Sequence, residues 1–190
     1  MSEAAAQLGI FGGADLCAPE DRDRYCTPPH VIEIARTALG GIDLDVASNA
    51  AAQEIVRAAD WYSLDTGRDA LALPWSGRVW CNPPYSKGAV DRFSDKIIAE
   101  LARGEVDGLL VLVNSSTSAA WWQQLARGAD ALLFCSSRLS FWHAETKATQ
   151  KGNLYDQTIF SFGAVDLTPL DQLGAVIRKD RATHSTKARR

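Results

Sequence analysis

The chain has 190 residues, 46% hydrophobic and 23% charged, which suits one compact domain with its own core. A net charge of -3 excludes a protein that coats nucleic acid by basicity alone. Four scattered cysteines without a CxxC pair or a histidine cluster point to no disulfide framework and no metal site, and no apolar run reaches membrane-spanning length.

Residues 1–24 contain Gly12-Gly13, lean acidic and show no sustained period, so a flexible N-terminal arm is expected there. No basic-then-apolar leader pattern is present, and the expected location is the cytoplasm, with reduced thiols. Thr27-Pro28 opens a helix with a hydroxyl cap followed by proline; Val31, Ile34, Ala35 and Ala38 share one face, and Gly40-Gly41 ends it. Ile42–Val46 reads as a short strand ending near Asp45, and Ala50–Ala59 as a helix. An irregular stretch with Trp61, Tyr62, Asp65 and Asp69 follows.

Arg78–Cys81 is the next strand, and Ala89–Arg103 is the clearest helix, with Val90, Phe93, Ile97 and Leu101 on one face and Gly104 as its stop. Gly108–Val113 is an uninterrupted apolar run, as a strand covered on both faces requires. Ser118–Arg127 is predicted helical, and Ala131–Cys135 a buried strand. Leu139–Trp142 and Thr158–Phe162 are predicted to pair as antiparallel strands at one edge, and Pro169–Lys179 to form a last helix. Basic residues crowd positions 178–190. The predicted organisation is a single domain over residues 25–180 followed by a basic tail, 181–190. The predicted class is α/β: a mostly parallel sheet with an antiparallel edge and helices on both faces.

In such sheets ligands sit beyond the carboxyl ends of the strands. The polar residues to inspect there are Asp45, Asn82, Asn114 and Arg138. Asn82 opens the segment Asn82-Pro83-Pro84-Tyr85. Its amide oxygen and the Pro83 carbonyl are acceptors held in place by two stiff prolines, and Tyr85 offers a flat face for stacking. Two convergent acceptors and a ring suit a planar amine, either the exocyclic NH2 of a nucleobase or a carboxamide. Acceptors on both N–H bonds favour a localised lone pair and stabilise the positive charge that develops on attack. A rigid turn after a strand would use the same residue types.

"CNPPY" matches the (D/N/S)PP(Y/F) motif of S-adenosylmethionine-dependent amino methyltransferases. Over residues 25–163 the chain resembles the phage-type DNA N6-adenine methyltransferase (Dam) family. The similar pieces keep the family's order: Thr27-Pro28, "LDVAS" at Leu44–Ser48, "DAL" at Asp69–Leu71, "WSGRVWCNPPYS" at Trp75–Ser86, "LLVLVNSSTSAAWW" at Leu109–Trp122 and "SRLSFW" at Ser137–Trp142.

The resemblance implies a Rossmann-like methyltransferase sheet, S-adenosylmethionine as methyl donor and adenine in DNA as acceptor. It implies that Thr27 and Pro28 hold the methionine end of the cofactor, that Asp45 is the acid after the first strand, and that Asp69 lies near the cofactor adenine. Ala47 stands where the family often has cysteine, and the glycine-rich FxGxG loop of many methyltransferases is absent. Glu54 and Asp65 are the two acids considered for the ribose.

Asn82, Pro83, Pro84 and Tyr85 would form the catalytic corner. The base would be flipped out of the duplex, with Phe141 or Trp142 as a second wall. Lys87, Lys147 and Lys151, with the basic tail, are the expected phosphate contacts. No inserted recognition domain is evident, so short or relaxed sequence specificity is expected. The rival readings are an NPPY-type enzyme acting on RNA, cytosine N4 or protein glutamine, and a catalytically silent DNA-binding relative.

Overall fold

The computed structural model describes residues 24–86, 88–149 and 153–180. The expected N-terminal arm, all but its last residue, and the basic tail lie outside the described residues, as do Lys87 and Lys151. The fold is α/β, with a seven-stranded mixed sheet and a separate two-stranded antiparallel sheet.

In chain order the elements are β1 (Tyr25–Cys26), α1 (Pro29–Leu39), β2 (Leu44–Asp45), α2 (Ala50–Val56), β3 (Asp60–Trp61), β4 (Gly77–Cys81), α3 (Ala89–Arg103), β5 (Val106–Asn114), α4 (Ala120–Gly128), β6 (Ala131–Cys135), β7 (Trp142–His143), β8 (Gln157–Gly163) and β9 (Gly174–Arg178). Short 3-10 turns sit at Leu64–Thr66 and Pro169–Gln172. The large sheet runs β3-β2-β4-β5-β8-β6-β9.

β5 is its central strand, and its alternation explains the layers. Leu109, Val111 and Val113 pack with Phe93 and Ile97 of α3 and with Trp122 and Leu125 of α4. Leu110 and Leu112 point the other way, into a cluster with Val31, Ile32 and Ala35 of α1 and Trp80 of β4. Both faces are therefore covered, and an apolar residue is needed at every position of the run.

Three expectations change. The sheet is mixed well inside its edge: β8 lies between β5 and β6 and runs against both, while β2, β3, β4, β5 and β6 share one direction. Leu139–Trp142 does not pair with β8. Instead Trp142 and His143 pair with Cys26 and Tyr25, across the full length of the intervening chain.

The third change is at 169–179, which is not a helix. It makes one 3-10 turn and then β9, which covers the outer edge of β6. Gly174 is the reason the strand starts there. A Cβ at that position would lie 2.0 Å from the Phe134 carbonyl oxygen, so only glycine lets the backbones approach.

Candidate functional site

Parallel pairing of β2, β4 and β5 brings their carboxyl ends side by side, with Asp45 opposite Trp80 and Cys81 opposite Val111. Asp45, Asn82 and Asn114 thus stand in a row at the floor of one cleft of about 1980 Å³. A single small ligand needs about 300–1,000 Å³, so the cleft has room for two. Of the four strand-end residues singled out from sequence, Arg138 is the exception: it pairs with Asp156 on the surface at 3.1 Å.

Nδ2 of Asn82 donates to Oγ1 of Thr27 at 3.3 Å. That bond turns Oδ1 the other way, where the Tyr85 hydroxyl donates to it at 3.4 Å. The same hydroxyl lies 3.3 Å from the Leu112 carbonyl oxygen. Burial pushes the Tyr85 phenol far above its ordinary value, so it remains a proton donor. Pro83 is buried and Pro84 half-buried, both lining the cleft. Cys81 is fully buried, and burial raises its thiol as well, so the neighbouring sulfur is no nucleophile.

Thr27 is the hub of this corner. It is buried, its hydroxyl holds Asn82, and its carbonyl oxygen accepts from the Trp142 indole at 3.1 Å. Pro28 follows as the residue before α1, and its carbonyl accepts the first backbone N–H groups of that helix. Its sequence signature, hydroxyl then proline, therefore does mark a helix start. The Thr27 side chain, however, reaches to Asn82 rather than back onto the helix.

Asp45 is 2% exposed and carries three donors' worth of attention. Oδ2 accepts from Gln53 Nε2 at 2.8 Å, and Oδ1 lies 3.4 Å from the Ala47 N–H. Burial nevertheless dominates and pushes its carboxyl up to about 6, against hydrogen bonds from Ser48, Ala47 and Gln53. Gln53 also donates to Ser48 Oγ at 2.7 Å and accepts from the Ala58 N–H at 3.1 Å. It thus fixes the Asp45 carboxylate to α2, a role the sequence reading missed. Its position, one turn into a helix that starts just after Asp45, is the only signal that could have found it. Asn49 was missed too, although its side chain caps α2 by accepting from Ala52 N–H at 2.9 Å.

Asp69 lines the cleft, and its Oδ1 accepts from the Leu71 N–H at 2.9 Å, so it shapes the turn that carries it. Ala47 is half-buried beside Asp45 in the same cleft. Asp65 lines the cleft as well, whereas Glu54 lines a separate small pocket and pairs with Lys147 at 3.2 Å.

The two aromatic residues of the "SRLSFW" segment separate in the same way. Phe141 lines the cleft, and Trp142 lines the small pocket beneath the Lys147 ammonium, 4.8 Å from its ring centre. Lys147 thus has Glu54 and Trp142 as its partners within the protein. Among the described residues no group of His, Cys, Asp and Glu side chains could hold a metal ion, and no helix is long and apolar enough to cross a membrane.

The model of the DNA N-6-adenine-methyltransferase (Dam) family matches residues 16–185. A DNA N-6-adenine-methyltransferase of Escherichia phage T1 is 29% identical over 157 residues, covering 73% of this chain. The chain spans 62% of that relative's length. No solved structure matches.

Proposed function

The chain belongs to the DNA N-6-adenine-methyltransferase (Dam) family, and from that premise we propose that it methylates the N6 amine of adenine in DNA, using S-adenosylmethionine on a Rossmann-like methyltransferase sheet. The observation that carries the reading is the orientation of Asn82: its amide nitrogen donates to Thr27, so its oxygen is the acceptor turned toward Tyr85. An acceptor fixed in that sense recognises an N–H donor, as an exocyclic amine is.

The residues fit the cofactor. The buried Asp45 carboxylate suits a ligand bearing positive charge, and the acids Asp65 and Asp69 line the same cleft, where a nucleoside's hydroxyls and amine would find acceptors. Thr27, Pro28, Asp45, Ala47 and Asp69 are the residues we assign to it. When bound, it supplies a methyl group activated by a sulfonium centre.

The protein's share of the chemistry is positioning and charge stabilisation. Asn82 Oδ1 and the Pro83 carbonyl accept the two N–H bonds of the amine, which localises its lone pair. They would also stabilise the positive charge that grows on nitrogen as it takes the methyl group by direct in-line transfer. They accept from the N–H bonds, one of whose protons must then leave to solvent. Pro83 and Pro84 hold both acceptors before substrate arrives. For the amine to reach Oδ1, the Tyr85 hydroxyl must give up that acceptor, and its ring then stacks on the flipped base, with Phe141 as the second wall. Trp142 is assigned to bracing Thr27 instead.

The test is expression in a host devoid of N6-methyladenine, followed by digestion of its DNA and quantification of the modified base. Parallel incubation of purified protein with labelled cofactor and DNA, RNA or protein acceptors separates the rival substrates. Label in RNA or protein but not in adenine-containing DNA would overturn the proposal.

A further inference from the structure

Four large apolar side chains are well exposed among the described residues: Leu64, Leu154, Tyr155 and Ile177. Two of them are neighbours. Leu154 is 67% and Tyr155 57% exposed, and both stand at the rim of the cleft that contains Asn82 and Tyr85.

Their backbone is not slack. Asn153 Nδ2 donates to the Leu139 carbonyl at 3.0 Å, and its Oδ1 accepts from the Tyr155 N–H at 3.1 Å. Gln157, itself buried, donates through Nε2 to the Tyr155 carbonyl at 2.6 Å and lies 3.5 Å from Asn114 Oδ1 at the end of β5. Arg138 pairs with Asp156, which leaves no unbalanced acid next to the tip to repel phosphate. A stiff turn, anchored to the cleft floor, therefore presents an aliphatic and an aromatic side chain to water.

Resting on the reading of the protein as a DNA methyltransferase, we propose that Leu154 and Tyr155 form the wedge that fills the gap left in the base stack when the target base is withdrawn into the cleft. Withdrawal breaks stacking on both sides of the gap. An apolar side chain inserted there restores that contact while removing itself from water. The wedge must be rigid to push and must stand beside the pocket that receives the base, and the pinned turn at the cleft rim meets both conditions. Insertion is needed only where a stack exists, so its loss discriminates between duplex and single strands.

The experiment compares the parent protein with the double variant Leu154→Ala/Tyr155→Ala on genomic DNA free of N6-methyladenine, given native and heat-denatured. The double variant is expected to methylate native DNA at least about tenfold more slowly, on the scale of one lost base–aromatic stack. It is expected to methylate denatured DNA within about twofold of the parent and to bind cofactor normally by calorimetry. Tyr155→Phe keeps the duplex rate.

Equal losses on both DNA forms, an unimpaired duplex rate, or lost cofactor binding would each overturn the wedge, the last by making the turn part of the fold. A parent protein that methylates neither form would overturn the underlying functional reading instead, and the wedge with it.

Discussion

Oγ1 of Thr27 accepts a hydrogen bond from Nδ2 of Asn82, joining the entry of α1 to the end of β4. The bond selects one of two amide orientations and so decides that the oxygen, not the nitrogen, faces Tyr85. Thr27→Val keeps the shape and removes the acceptor. We expect turnover to fall about tenfold, as for loss of one buried hydrogen bond, with Thr27→Ser restoring it. Steady-state kinetics on both variants check this, and equal rates for Val and Thr would sink it.

Asn82 itself is the stronger test. Asn82→Ala removes the oriented acceptor, and methyl transfer should drop by about 10²–10³, the scale for one group that stabilises developing charge. Cofactor affinity by calorimetry should persist. Asn82→Asp keeps an oxygen in place and should fall less far. Undiminished N6-methyladenine formation by Asn82→Ala would refute the mechanism.

At Tyr85 the ring and the hydroxyl have opposite parts. The hydroxyl holds Asn82 Oδ1 in the free protein, and the ring is assigned to stacking. Tyr85→Phe should therefore retain activity within a few-fold, while Tyr85→Ala should lose stacking worth about 1–3 kcal/mol. Rates measured at subsaturating DNA report the difference. An inactive Tyr85→Phe would mean that the hydroxyl acts in the reaction.

Asp45 links stability to pH with an unusual sign. Its folded carboxyl titrates at about 6 against an ordinary value of 3.8, because it is buried. Between these values the folded protein holds a proton that the unfolded chain has released, so stability falls as pH rises from about 4 to 6. The full cost, about 3 kcal/mol, applies above that window. Asp45→Asn should consequently be more stable than the parent at pH 7 and similar near pH 4, read from urea melts. It should also bind cofactor weakly at every pH, whereas the parent's affinity declines as pH drops through 6.

Glu100 braces the approach to β4. It is 2% exposed; Oε2 accepts from the Trp75 N–H at 3.0 Å, and Oε1 pairs with Lys96 at 2.6 Å. Glu100→Leu strands that N–H and leaves both Lys96 and Arg103 without their carboxylate, and should cost about 3 kcal/mol. Glu100→Gln keeps an acceptor for Trp75 and should cost less. Thermal melts of the two rank them.

The core elements were legible because local rules sufficed. β5 declares itself as an apolar run, α3 by its periodic face and glycine stop, and the Asn82–Tyr85 corner by its composition. What escaped depends on partners remote in sequence. Residues 174–178 carry a pattern compatible with a helix, and only the open edge of β6 makes them a strand. Trp142 looked equivalent to Phe141 until pairing with β1 turned it toward Thr27. The pairing of Lys147 with Glu54 is hidden for the same reason, because the two residues lie 93 positions apart.

The pairing of β1 with β7 has a mechanical corollary. Two residues on each side, reinforced by the Trp142 indole on the Thr27 carbonyl, tie the lip that bears Phe141 to the segment that aligns Asn82. The lip cannot swing outward alone: widening the cleft there either severs this clasp or drags Thr27 with it. Widening of the lip and alignment of the Asn82 amide are thereby geared to one another.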